Sequence, residues 1–154
     1  MSVDVFKRRF TELRGESLVA AELTKQGYLP LLTPRNFPAT DIVAFNPRNR
    51  HTIPIQIKTR NEGTDFPMGR GLKKHPTKIL YVFVRVSGND CQEFFVVPGR
   101  QINGLLKKHR KRYKAEHPSG RANPEKQLWT LDAERELRPY RNAWRHLKNF
   151  SVHQ

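Results

Sequence analysis

Residues 40–60, TDIVAFNPRNRHTIPIQIKTR, hold two short apolar runs around a polar turn, and their reading decides how the chain folds. A hairpin centred between Arg48 and Asn49 sets position 41 opposite position 56. Side chains of a strand alternate between its faces, so Gln56 and Lys58 share one face and Asp41 lies across from them on it. A carboxylate, an amide and an ammonium group would then converge. Ile53, Ile55 and Ile57 take the other face with Ile42 and Ala44, which assigns that face to the core. Pro54 has no N–H for a strand ladder, which predicts an edge position, a bulge or an outward-facing nitrogen there.

Upstream, residues 4–26 read as an amphipathic helix. Phe6, Phe10, Leu13, Ala20 and Leu23 recur at helical spacing, and Gly27 is placed to end it. Glu16 falls in that stripe, three after Leu13 and four before Ala20. Two readings stay open: a surface side chain one position out of phase, or a carboxylate aimed at the site beneath the helix. The second would need a partner, because an inward-facing charge is costly without one. Residues 28–34 read as the first strand.

Downstream, residues 61–77 mix Gly, Pro and basic groups. They read as a mobile loop, either a substrate-contacting flap beside the site or a solvated connector. Residues 78–86 are the most apolar stretch and predict a buried central strand, joined by the turn at 87–90 to a second strand at 93–98. From Arg100 to about His117 the pattern is helical, with Ile102, Leu105 and Leu106 on the apolar side. Lys107, Lys108, Arg110, Lys111, Arg112 and Lys114 crowd the other side, with no acid before Glu116 and with Tyr113 available to stack. Solvated helix faces usually mix signs, so this one predicts phosphate contact. Residues 118–124 look like a linker, 128–131 like a short extended piece, and 138–149 like a closing helix with Pro139 in its first turn. Tyr140, Trp144 and Leu147 would dock that helix.

The length, 154 residues, suits one domain, with 118–154 as a C-terminal extension packed on it. Its 29 Lys and Arg against 14 Asp and Glu give a net charge of +15, which calls for a polyanionic partner. Nucleic acid comes first, because phosphate contacts release condensed counterions; an anionic membrane surface is the weaker alternative. No apolar run approaches the roughly 18 residues of a membrane span, and the N-terminus has no apolar signal core, so a cytoplasmic protein is expected. A single cysteine, Cys91, rules out a disulfide framework and a thiolate metal cluster within the chain.

Strands grouped between helices suggest an α/β architecture, a mixed central sheet flanked by helices. The combination of Gly15-Glu16-Ser17 in the first helix, Asp41 opening a strand and Gln56-Ile57-Lys58 on the next resembles the restriction-endonuclease-like PD-(D/E)xK nuclease superfamily. The spacing is similar to that of the archaeal Holliday junction resolvases, over roughly residues 10–60. The resemblance implies a restriction-endonuclease-like fold and a Mg²⁺- or Mn²⁺-dependent DNA endonuclease. It makes Asp41 the main metal ligand, with the Gln56 side-chain oxygen, the Ile57 carbonyl and Glu16 completing the shell, and Lys58 acting on the attacking water.

Gln56 stands where the family more often has Glu or Asp, which predicts weaker metal binding, and Thr40 replaces the family's proline. DNA would be gripped by Lys107, Lys108, Arg110, Lys111 and Arg112, and by Arg70, Lys73 and Lys74 of the 61–77 segment. Cutting both strands of a duplex would favour a homodimer. Two other classes stay open: a nucleic-acid-binding module of the same fold without catalysis, and an unrelated basic α/β protein such as a ribosome-associated factor.

Overall fold

The 40–60 hairpin forms in the register read from the sequence, with Ile42 opposite Ile55, Val43 opposite Pro54, Ala44 opposite Ile53 and Phe45 opposite Thr52. The structure, a computed structural model, describes residues 3–34, 37–69, 74–88, 91–118 and 129–150. In chain order the elements are α1 (Val3–Lys25), β1 (Leu29–Leu32), β2 (Ile42–Phe45), β3 (Thr52–Asn61), β4 (Asp65–Pro67), β5 (Leu80–Ser87), β6 (Cys91–Pro98), α2 (Gly99–Glu116) and β7 (Thr130–Asp132). A 3₁₀ turn (Arg138–Tyr140) and a short helix, α3 (Arg145–Lys148), follow. Five strands make one mixed sheet in the order β1-β2-β3-β5-β6, in which only the β3–β5 pair is parallel. The chain is therefore α/β, with α1 and α2 on opposite faces of the sheet.

Pro54 finds its place in this register. The backbone groups of Ile55 and His51 point toward β2, since Ile55 O accepts from Asp41 N and His51 O accepts from Asn46 N. Even-numbered residues of β3 therefore face β5, as the bond from Glu62 N to Val86 O confirms. β5 begins only at Leu80, opposite Ile55. The nitrogen of Pro54 thus points past the start of its neighbour, and no ladder bond is lost.

Two apolar cores sandwich the sheet. Val19 and Leu23 of α1 pack with Ile42, Ala44, Ile53, Ile55 and Ile57 on one face. Ile102 and Leu106 of α2 pack with Tyr81, Phe83, Phe95, Phe66 and Leu131 on the other. The α1 stripe differs from its sequence reading: Gly15, Val19 and Leu23 are the buried residues, while Phe6, Phe10 and Leu13 are exposed. The later part of the stripe holds, with Leu23 buried and Ala20 packed against the core, whereas Phe6, Phe10 and Leu13 lie well round the helix from the face that meets the sheet. Gly27 does end the helix, at φ +83°. Its N–H bonds Thr24 O and that of Tyr28 bonds Leu23 O, the paired closure that a left-handed residue permits.

Gly15 decides how closely α1 approaches β3. A Cβ there would lie 1.7 Å from Thr59 Oγ1 and 2.8 Å from its Cβ, a short and stiff side chain that cannot swing away. Gly15→Ala is expected to push the helix outward and cost about 1–3 kcal/mol. Thr59→Ala in the same chain should recover part of the loss, and a double-mutant cycle read by chemical denaturation checks the coupling.

The C-terminal region departs from the expected long closing helix. Asn142 sits at φ +48° and separates the 3₁₀ turn from α3. The break lets the chain cross from one core to the other. Leu131, Ala133 and Leu137 join the α2 side, and Ala143, Trp144 and Leu147 the α1 side. In passing, Arg141 bridges to Phe95 and Asn142 N bonds Phe94 O, which covers the outer edge of β6. The 61–77 segment is also more structured than a loop. Residues 65–67 form β4, which pairs with β7 and buries Phe66 against Phe83. Arg70 and Lys73 lie outside the described residues. Among the described residues no helix is long and apolar enough to cross a membrane.

Candidate active site

The site forms where β2 stops and β3 continues. Beyond Ile55 the β2-facing edge of β3 has no strand beside it among the described residues. Asp41, at the mouth of that notch, turns its side chain into it: Oδ2 accepts from Ile57 N at 2.6 Å and from Gln56 Nε2 at 2.8 Å. Backbone bonds fix Asp41 from both sides, with its N–H on Ile55 O and its carbonyl accepting from Thr33 N. The Thr33 hydroxyl also reaches the carbonyls of Thr40 and Asp41. Ala39, just upstream, holds φ +52°, a left-handed conformation that costs a residue with a Cβ about 1–2 kcal/mol and persists because these contacts over-determine it.

A carboxylate can only accept, so the NH₂ of Gln56 must be the group facing Asp41. The expected role of the Gln56 oxygen as a ligand would need that amide to turn. The Ile57 carbonyl lies on the same side of its strand as the N–H that bonds Asp41, past the end of β2, so it opens onto the notch.

α1 passes this notch. Asn61 Nδ2 donates to Thr11 Oγ1 at 2.8 Å, and Gly15 abuts Thr59, which sets Glu16 beside Asp41. Glu16 is half-buried and makes no hydrogen bond or ion pair among the described residues. Its carboxyl is held above the ordinary carboxylate value by burial, then by the negative charges of Asp41 and Glu12. Asp41 is likewise raised. Burial dominates there, against the Ile57 N–H, the Lys58 ammonium and the Gln56 amide, which favour the anion. Glu16 thus lies beside Asp41 rather than on the open helix surface.

Lys58 projects from the Gln56 face of β3 and has no acid within ion-pair distance among the described residues. Its charge is felt by Asp41 and by His75, whose imidazole is pushed below its ordinary value by burial first and by Lys58 second. His75 belongs to the 61–77 segment. Its position is fixed by Asn103 of α2, whose Oδ1 accepts from His75 N at 3.2 Å and whose Nδ2 donates to His75 O at 3.4 Å. Its ring stands edge-on to Tyr81, the β5 neighbour of Gln56, at 6.4 Å. Neither His75 nor Glu12 could be found from the sequence pattern, because a loop–helix clamp and a helix rotation bring them in.

Of the expected DNA-gripping residues, Lys74, Lys107, Lys108 and Lys111 are exposed and carry no ion pair among the described residues. Asn103, Lys107 and Lys111 succeed one another at one-turn spacing, so the basic stripe of α2 begins one turn beyond the clamp on His75. Arg112 and Arg110 serve the fold as well. Arg112 Nη2 pairs with Glu136 at 3.1 Å, and the guanidinium of Arg110 lies 4.4 Å over the Trp129 ring. Tyr113 is stacked between His109 and His117.

The oxygen set suits a hard divalent cation: two carboxylates that repel each other and a main-chain carbonyl, with the Gln56 oxygen if its amide turns. No three His, Cys, Asp or Glu side chains converge as a metal group among the described residues, so such an ion would lean on Asp41, Glu16 and these neutral oxygens together. No family model matches the chain, and neither the curated proteins nor the solved structures contain a match.

Proposed function

We propose that the chain is a divalent-metal-dependent DNA endonuclease of the restriction-endonuclease-like fold. The observation that carries this reading is Asp41 at the notch, with Glu16 and the Ile57 backbone beside it and the charge of Lys58 acting on it. Glu16 is raised by burial and by the charge of Asp41 beside it, and the Lys58 ammonium acts on Asp41 without forming an ion pair with it. In this reading Asp41, through its free oxygen, would hold Mg²⁺ or Mn²⁺ with Glu16 and the Ile57 carbonyl. The ion would supply charge neutralisation and a water acidic enough to act at neutral pH. Lys58 faces the charge that develops on the phosphoryl oxygens during attack and stabilises it. Asp41 keeps its orientation through the Ile57 N–H and the Gln56 amide. Phosphates of the flanking DNA would run from Lys58 past Lys74 and His75 onto Lys107, Lys108 and Lys111.

The chain should cleave at least one of duplex, flap, single-stranded or four-way-junction DNA in Mg²⁺ or Mn²⁺, and none in EDTA. DNA binding without cleavage of any substrate would favour the inactive binding module. Preference for structured RNA over every DNA would favour the ribosome-associated factor.

A further inference from the structure

β3 continues past Lys58 to Arg60, on the same face of the strand and therefore about 6.6 Å further along it. Arg60 Nε is shielded from solvent and has no hydrogen-bond partner, and the guanidinium meets no acid among the described residues. A shielded, unbonded Nε is shared by Arg110 and Arg112, but each of those guanidiniums, like that of Arg85, has a partner for its charge. Arg85, its register partner on β5, is neutralised by Glu93 and Glu134, Arg112 by Glu136, and Arg110 stacks on Trp129.

Nor is Arg60 adrift. The turn after β3 wraps it, with Glu62 at φ +60° and Gly63 at φ +75°. A Cβ on Gly63 would lie 3.2 Å from Arg60 Nε and 3.5 Å from its Nη2. Glu62 N bonds Val86 O at 2.9 Å and ties the turn to β5. Nε is covered by the turn, while the two terminal nitrogens are not shielded and bond no group among the described residues, so a planar, permanently charged fork is held in place with its charge unmatched and its outer edge open to an anion.

We infer that Arg60 is a phosphate subsite, binding the backbone phosphate next to the scissile one, which Lys58 engages as charge develops on it. Two residues of strand match the separation of neighbouring phosphates along a polynucleotide, and a guanidinium fork suits phosphate oxygens. The order of the two phosphates rests on the nuclease reading; the affinity of Arg60 for a phosphate does not.

Binding of a labelled duplex and a labelled four-way junction, measured in EDTA for the parent, Arg60→Gln and Arg60→Lys, tests the subsite. Arg60→Gln is expected to weaken binding about tenfold or more and to make the salt dependence shallower by about one phosphate contact. Arg60→Lys should keep the slope and lose part of the affinity. Both should melt at or above the parent temperature, since each removes an unmet donor. Unchanged affinity and slope in Arg60→Gln would overturn the subsite. So would an Arg60→Gln chain that melts well below the parent while Arg60→Lys melts with it, which marks a structural arginine. If the parent cleaves and Arg60→Gln binds as the parent does, the subsite alone fails. If the parent cleaves nothing and Arg60→Gln still loses affinity and slope, the subsite stands and the nuclease reading fails.

Discussion

Asp41→Asn is expected to lower DNA cleavage by at least about 10²–10³-fold while the chain folds as before. The substituted side chain still offers an oxygen to the Ile57 N–H, so the hydrogen bond that orients it survives and only the charge is lost. Stability should move the other way. Burial raises the folded pKa of Asp41 above its unfolded value, so the ionised group costs stability at neutral pH; that cost shrinks as pH falls through the raised folded value and is gone below the ordinary 3.8. Asp41→Asn should therefore melt at or above the parent temperature at pH 7, with the difference gone in acid. Asp41→Ala makes a useful contrast. It leaves the Ile57 N–H and the Gln56 amide without an acceptor and should cost about 1–3 kcal/mol. Cleavage assays and thermal melts of the two variants together separate the charge of Asp41 from its bonding.

Glu136→Ala should have the largest effect on stability, about 3–5 kcal/mol by denaturant unfolding. Glu136 is buried and collects Arg112 Nη2 at 3.1 Å on one oxygen. Its other oxygen accepts from Asp132 N at 3.2 Å and lies 3.1 Å from His109 Nδ1. His109 Nδ1 is also 3.0 Å from Arg112 Nη2, so it either donates to the carboxylate or accepts from the guanidinium. These groups join α2 to β7 and to the turn that follows, and removing the carboxylate strands all of them. Burial alone would raise the Glu136 pKa, but the His109 and Asp132 bonds and the charges of His109 and Arg112 outweigh it and hold the value below the ordinary 4.5. The stability it contributes is thus fully present above that value and lost as pH falls through the folded pKa, so the gap between parent and variant should close in acid.

These two variants also mark what the sequence could and could not reveal. Asp41, Gln56 and Lys58 were legible because a hairpin with one buried face has a single register, which the isoleucines at 53, 55 and 57 select. Glu16 was legible as an anomaly in a helix, although only the later residues of its stripe, Ala20 and Leu23, meet the core, while Phe6, Phe10 and Leu13 face solvent. Periodicity reveals a helix's apolar lines but not which line meets the sheet, and here a glycine marks the contact. Glu136, His109 and Thr130 were invisible, because residues 109 and 136 meet only after the chain folds back from β4 to β7. The same long-range pairing turned part of the expected 61–77 loop into a strand. Clamps such as Asn103 on His75 have no local signature at all.

The central claim is that Lys58 and the carboxylates beside it perform metal-dependent hydrolysis of DNA, and single-turnover cleavage by Lys58→Ala tests it most directly. With Mg²⁺ and the best-cleaved DNA of the panel, the rate should fall at least about 10²-fold while the dissociation constant measured in EDTA stays within about threefold. Cleavage by Lys58→Ala at the parent rate, or parent cleavage that persists in EDTA, would contradict the account.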